Sequence, residues 1–232
     1  PLYRQALSAR QKQLGSDHPE VANSLTNLAV LLHARGEYAQ AEPLLREATA
    51  IWQSVLGEDH PHVGVSLDNI GSLLDAQGEY AEAEAMHREA LAITQTALGD
   101  SHPDVARVLN NLAHSLESQG DYGEAESHLR QALEINRAAL GDEHPETATS
   151  LNNLAHLLQT EGDYAAAEPL YREALNIRRR TLGDDHLSVA TSQSNLASLL
   201  EARGDYESAL QLYQKALRTR RSQLGNASAA VA

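Results

Sequence analysis

The chain has 232 residues, with 18 Lys plus Arg against 32 Asp plus Glu and a formal net charge of −14. That balance repels the phosphates of nucleic acid and anionic membrane surfaces, so neither is expected as a partner. Cysteine is absent, which removes disulfides and thiolate metal sites and fits a cytoplasmic location. No apolar run approaches the roughly 18 residues that span a bilayer. The opening Pro1-Leu2-Tyr3-Arg4-Gln5 lacks the basic-then-apolar order of a signal peptide. Phe is absent and Trp occurs once, while Ala and Leu dominate, a composition suited to closely packed helices.

The sequence repeats itself with a period of 42. Leu-Gly stands at 14–15, 56–57, 98–99, 140–141, 182–183 and 224–225. His-Pro stands at 18–19, 60–61, 102–103 and 144–145, and the fifth copy departs with His186-Leu187. Asn recurs at Asn27, Asn69, Asn111, Asn153 and Asn195, and Gly-x-Tyr recurs from Gly36/Tyr38 to Gly204/Tyr206. Several independent residue types keeping one period mark a repeat architecture.

Residues 1–15 match the second helix of a repeat, because Pro1-Leu2-Tyr3-Arg4-Gln5-Ala6-Leu7 parallels Pro169-Leu170-Tyr171-Arg172-Glu173-Ala174-Leu175. Residues 16–57 then form the first complete hairpin. Pro19 suits the first helical position, where the missing N–H costs nothing. Leu25, Leu28, Ala29 and Leu32 follow at 3-4-3 spacing, one face of a helix. Gly36 supplies a left-handed stop. Tyr38, Ala41, Leu45 and Ala48 make the stripe of a second helix, extended by Ile51 and closed by Leu56-Gly57. Ala29 and Ala41 are small where the two helices approach, and the second repeat offers Gly71 and Ala83. The pattern recurs over 58–99, 100–141, 142–183 and 184–225, and residues 226–232 begin a truncated repeat or form a tail. Eleven helices are expected in one array over 1–232, taken as a segment of a longer protein.

The pattern Leu25-x-x-Leu28-Ala29-x-x-Leu32-x-x-x-Gly36-x-Tyr38-x-x-Ala41-x-x-x-Leu45-x-x-Ala48 resembles the tetratricopeptide repeat core. The 42-residue period with Leu-Gly-x-x-His-Pro between hairpins resembles the kinesin light chain subclass, and similar repeats occur in bacterial multidomain signalling proteins. The resemblance implies an all-α fold: tandem helix-turn-helix repeats stacked into a right-handed α-solenoid superhelix, with the first helix of each pair lining the concave side. It implies a protein–protein interaction scaffold that binds an extended peptide or partner segment in that groove.

The groove-facing positions are the polar ones beside the apolar stripe. The recurring Asn27, Asn69, Asn111, Asn153 and Asn195 can donate and accept to a peptide backbone at once. Packed helices lie about 8–10 Å apart and an extended peptide advances about 3.3 Å per residue. An Asn ladder would then meet such a peptide at about every third residue. The same Asn side chains can instead bond neighbouring helices and fix the spacing of repeats, and the two roles are compatible. Asn110, Asn152, Arg107, His114 and His156 occupy adjacent groove positions, as do Asp68, Asp75 and Glu117, and Glu201 adds a further acid in the fifth repeat. These acids predict a groove that prefers neutral or basic peptides.

No cofactor, metal or catalytic site is expected. The loop histidines His18, His60, His102, His144 and His186 are too far apart to share one ion and are expected to satisfy backbone at helix starts. A weak metal site at His114, His156 and Glu117 is less favoured than peptide contact. No phosphate-binding glycine loop occurs. Arg178-Arg179-Arg180 reads as a solvated helix end, where cations suit the dipole. Two alternatives stand beside peptide binding: a rigid spacer, or a self-associating segment. Leu2, Ala6 and Leu7 at one end and Leu210 and Leu217 at the other predict end-to-end association between copies.

Overall fold

A computed structural model describes residues 2–225. Eleven α-helices run through the described residues with no strand among them: α1 (Leu2–Leu14), α2 (Pro19–Ala34), α3 (Tyr38–Leu56), α4 (Pro61–Gln77), α5 (Tyr80–Leu98), α6 (Pro103–Gln119), α7 (Tyr122–Leu140), α8 (Pro145–Thr160), α9 (Tyr164–Leu182), α10 (Leu187–Ala202) and α11 (Tyr206–Leu224). The fold is all-α, and consecutive helices pack on one another from α1 to α6 and from α8 to α11.

The punctuation read from the sequence forms as local chemistry requires. Each loop histidine is an N-cap whose Nδ1 accepts from the backbone N–H two residues on: His18 from Glu20 at 3.1 Å, His60 from His62 at 3.2 Å, His102 from Asp104 at 3.1 Å. His144 and His186 cap Glu146 and Ser188 in the same way, each at 3.1 Å. One orphan donor of each first turn is thereby satisfied. Gly78 closes α4 at φ 82° and ψ 13°, the left-handed conformation that a Cβ would strain.

The chain divides into two compact units, residues 1–128 and the residues from 129 onward. In the first, α1 packs on α2, α2 and α3 form one hairpin, and α4 and α5 form the next, with α6 against α5 and α4. Its core has two clusters. One joins Val21, Leu25, Ile51 and Trp52 to Val63, Leu67 and Ile93. The other joins Leu28, Leu32 and Leu45 to Ile70, Leu73 and Leu74 around the close-approach residues Ala29, Ala41 and Ala83. Each fully buried Leu or Ile contributes about 1.5–3 kcal/mol of transfer free energy. Leu7 is partly buried against both clusters.

In the second unit α8 and α9 form a hairpin, α10 covers both, and α11 pairs with α10. Leu151, Leu154, Leu157, Leu196 and Leu199 are fully buried there, with Tyr171. The second helices carry an outer ladder of ion pairs. Arg46, Arg88 and Arg172 each bond the Glu four residues earlier at 2.7–2.8 Å, and Arg88 also reaches Glu124 at 2.8 Å. Such exposed pairs contribute only about 0.3–0.5 kcal/mol each.

Of the Arg178-Arg179-Arg180 run, Arg179 and Arg180 are exposed as a solvated end would have them, and Arg178 differs. Arg178 is half-buried: its guanidinium donates to Ser192 Oγ at 2.7 Å and Thr149 Oγ1 at 3.2 Å. Burial pushes its pKa down, opposed by the nearby Glu146. Position 178 falls at a hairpin junction, where a long side chain is drawn between helices. Leu210 also differs from expectation. It is 57% exposed and occupies the register of Glu42, Glu84, Glu126 and Glu168, an outer-surface position outside the apolar stripe.

Candidate functional site

The first helices α2, α4, α6, α8 and α10 carry every residue expected to line the groove. Asn27 and His114 are exposed, and Asn69 is half-buried. Asn110 donates to the backbone carbonyl of Ala106 at 2.8 Å, on its own helix. Asn153 is half-buried and His156 exposed on α8, and Glu117 is half-buried on α6.

Two of the recurring asparagines reach across to the preceding repeat. Asn111 donates through Nδ2 to both carboxylate oxygens of Asp68, each at 3.1 Å. Asn195 donates through Nδ2 to Asn152 Oδ1 at 2.9 Å. In both cases the acceptor stands at the same register of the preceding first helix. At these two positions the amide N–H ties one repeat to the next, while the Oδ1 atoms of Asn111 and Asn195 accept no hydrogen bond among the described residues.

Asp68 and Asp75 differ from the expected free groove acids. Asp68 is 1% exposed. Its carboxylate accepts from His87 Nδ1 at 2.8 Å, from Asn111 and from the Arg107 guanidinium. Asp75 accepts from His87 Nε2 at 3.2 Å and from Ser115 Oγ at 2.8 Å. His87 itself is fully buried, at 0% exposure, on the second helix α5. With a carboxylate at each ring nitrogen the imidazole must donate twice, so it is the cationic form that fits. Burial pushes its pKa down, but the hydrogen bonds it donates to Asp68 and Asp75, with their charges, outweigh that and raise it to about 9. Burial likewise pushes Asp68 up, and the His87 hydrogen bond with the Arg107 and His87 charges hold it below the usual carboxylate range. The two acids are thus neutralised by His87 and Arg107, and the acidic character expected of the second repeat is spent inside it.

Sequence reasoning missed His87. Its register holds Leu45, Leu129 and Tyr171 in other repeats, and Gly71 stands where those repeats have Ala29, Ala113 and Ala155. The joint departure of His87, Gly71 and Asp68 from the internal pattern was the available signal. Among the described residues no group of three or more His, Asp or Glu side chains could hold a metal ion. No described helix is long and apolar enough to cross a membrane.

The tetratricopeptide repeat profile matches residues 1–54, 25–96, 76–138, 104–180 and 146–222, nearly the whole chain. This chain belongs to the tetratricopeptide repeat family. No curated protein matches it. Among solved structures it is similar to BtubC (BKLC) from P. vanneervenii, at TM-score 0.76 and 24% identity over 97% of this chain and 89% of that one, a likeness of fold. It is also similar to a Podosopora anserina protein described as a kinesin light chain with nearly identical TPR-like repeats. There the TM-score is 0.70 and the identity 27%, over 89% of this chain and 98% of that one. A single-substitution form of the latter gives TM-score 0.71 at 27% identity, over 88% of this chain and 97% of that one. The likeness to kinesin light chain-type tetratricopeptide arrays agrees with the 42-residue period. The fold is one that generally serves as a protein–protein interaction scaffold.

Proposed function

We propose that the first-helix face of this array binds an extended protein segment, with the recurring asparagines as its backbone contacts. The observation that carries this reading is the half-used amide of Asn111 and Asn195. Each spends its N–H on the preceding repeat, which fixes the carboxamide orientation, and leaves Oδ1 to accept from a ligand N–H. A pre-oriented acceptor costs little ordering entropy on binding. The exposed Val30 of α2 and Val65 of α4, at 50% and 36%, stand at two different registers among the groove positions and offer apolar side-chain contacts. The ligand is a protein or peptide; neither nucleic acid nor membrane suits a chain of net charge −14. No chemistry is assigned to the array, and its place is in the cytoplasm.

A peptide array followed by titration of the best binders tests this. Asn27→Ala with His114→Ala removes exposed groups from the first unit, and His156→Ala does so in the second. At least one set should weaken binding about tenfold, the loss of roughly 1.4 kcal/mol, with the melting temperature unchanged. Equal affinity for every variant would remove the groove reading. A second reading, association between copies, is favoured by Tyr206 and Leu210, which α11 exposes at 70% and 57%. Sedimentation over a wide concentration range tests it, and a monomer throughout would remove it.

A further inference from the structure

The outer junction of α9, α10 and α11 breaks the internal pattern at several positions, and the broken positions converge. Repeats one, two and four have a buried Leu on the first helix and a buried Ile on the second at matching registers: Leu25 and Ile51, Leu67 and Ile93, Leu151 and Ile177. In the fifth repeat those registers hold Gln193 and Thr219, still 5% and 6% exposed. Burying a carboxamide where a Leu fits is costly unless its hydrogen bonds are made. Gln193 Oε1 has no hydrogen-bond partner among the described residues.

The rim departs as well. One repeat earlier, Arg137 on α7 bonds Glu173 on α9 at 2.6 Å. At the same registers stand Arg179 and Lys215, two cations. Arg218 replaces Ala50, Ala92, Glu134 and Asn176. Arg179 is held by Asp184. Gln193, Thr219, Arg179, Lys215 and Arg218 all line one cavity of about 430 Å³, together with Asp184 and Asp185. Three cations against two carboxylates give it a positive balance in a chain of net charge −14. Its size falls within the range of small-molecule sites, roughly 300–1,000 Å³.

We infer that this cavity is a binding site for a small hydroxylated organic anion, a phosphate or carboxylate compound, on a face distinct from the first-helix groove. Lys215 and Arg218 take the anionic group at the rim, as charge-assisted donors. A ligand hydroxyl enters between Gln193 and Thr219 in the lining, and the Gln193 side chain turns its buried, unpaired Oε1 toward it on binding, with the Thr219 hydroxyl as the second partner. The ligand completes the hydrogen bonding that the Leu–Ile pair of the other repeats never needs. This site stands or falls separately from the groove, because none of its residues lies on the groove face.

Isothermal titration of the full chain at low salt with glycerol 3-phosphate and with citrate tests the inference, glycerol serving as the neutral control. At least one anion should bind saturably at one site per chain, and glycerol should not. Lys215→Glu restores the acid of the preceding repeat, and the double change Gln193→Leu with Thr219→Ile restores the Leu–Ile floor, so both variants keep a pattern the fold already accepts. Each should weaken the anion by about tenfold or more. Lys12→Glu, a charge change of the same kind in the first unit, should leave it unchanged. No saturable binding of either anion up to millimolar concentration, or wild-type affinity in both cavity variants, would overturn the inference.

Discussion

The imidazole of His87 lies over the bare α-carbon of Gly71, so close that a Cβ there would stand 2.6 Å from the ring. One residue is a glycine because the other is a buried histidine. In the first repeat the same registers hold Leu45 and Ala29, which share one core cluster.

Gly71→Ala should therefore destabilise the first unit despite the better helix propensity of Ala. Overpacking against a fixed, doubly bonded ring costs about 1–3 kcal/mol, against a gain of about 1 kcal/mol from propensity. Gly123 is the contrast: nothing lies within 4 Å of its Cβ position and its helix is regular. Gly123→Ala should raise stability by up to about 1 kcal/mol. Urea melts of both variants check the opposite signs.

The His87 cluster should make stability depend on pH on the alkaline side. Its pKa is raised from 6.5 to about 9 in the folded chain. The stability it contributes is therefore complete below about pH 6.5 and is lost as pH climbs through 9. The loss is on the order of 3 kcal/mol across that window. Asp68 has the opposite sign. Its folded pKa lies below its unfolded value, so its contribution is present above about pH 4 and is lost as pH falls through the lower value. Denaturant melts from pH 6 to 10 should show a decline that His87→Leu flattens.

His87→Leu alone should cost about 3–5 kcal/mol, because it removes one of three partners from the buried Asp68 carboxylate and one of two from Asp75. Adding Asp68→Asn and Gly71→Ala supplies the residue types that stand at these registers in the third repeat, Asn110, Ala113 and Leu129. The triple variant should recover most of the loss. Thermal melts of the single and triple variants would show the non-additivity expected of a network. Additive losses would mean the three side chains act independently.

Asn111→Ala should lower stability by about 1–2 kcal/mol, since Asn111 supplies two contacts to the buried Asp68 carboxylate. Asn27→Ala, at an exposed amide of the same register, should change it by less than about 0.5 kcal/mol. Equal effects in a chemical melt would show that the Asn111–Asp68 contact contributes nothing beyond its surface.

The period, the hairpins, the helix bounds and the histidine caps were legible in the sequence, because each depends on contacts within a few residues. Gly78 stops a helix through its own φ, and His60 caps one through an N–H two residues away. The Leu25, Leu28 and Leu32 stripe follows from 3.6 residues per turn. What only the tertiary structure decided is the fate of polar side chains that depart from the pattern. By helical register Asp68 belongs beside Asn69 on the groove face, yet it is buried because His87, 19 residues on, and Asn111, 43 residues on, converge on it. Gln193 reads as one polar residue among many until Thr219, Lys215 and Arg218 are seen around the same cavity. A repeat sequence dictates where each position points, but whether a charge there meets water or a counter-charge depends on the neighbouring helix. That neighbour is chosen by packing and not by adjacency in the chain.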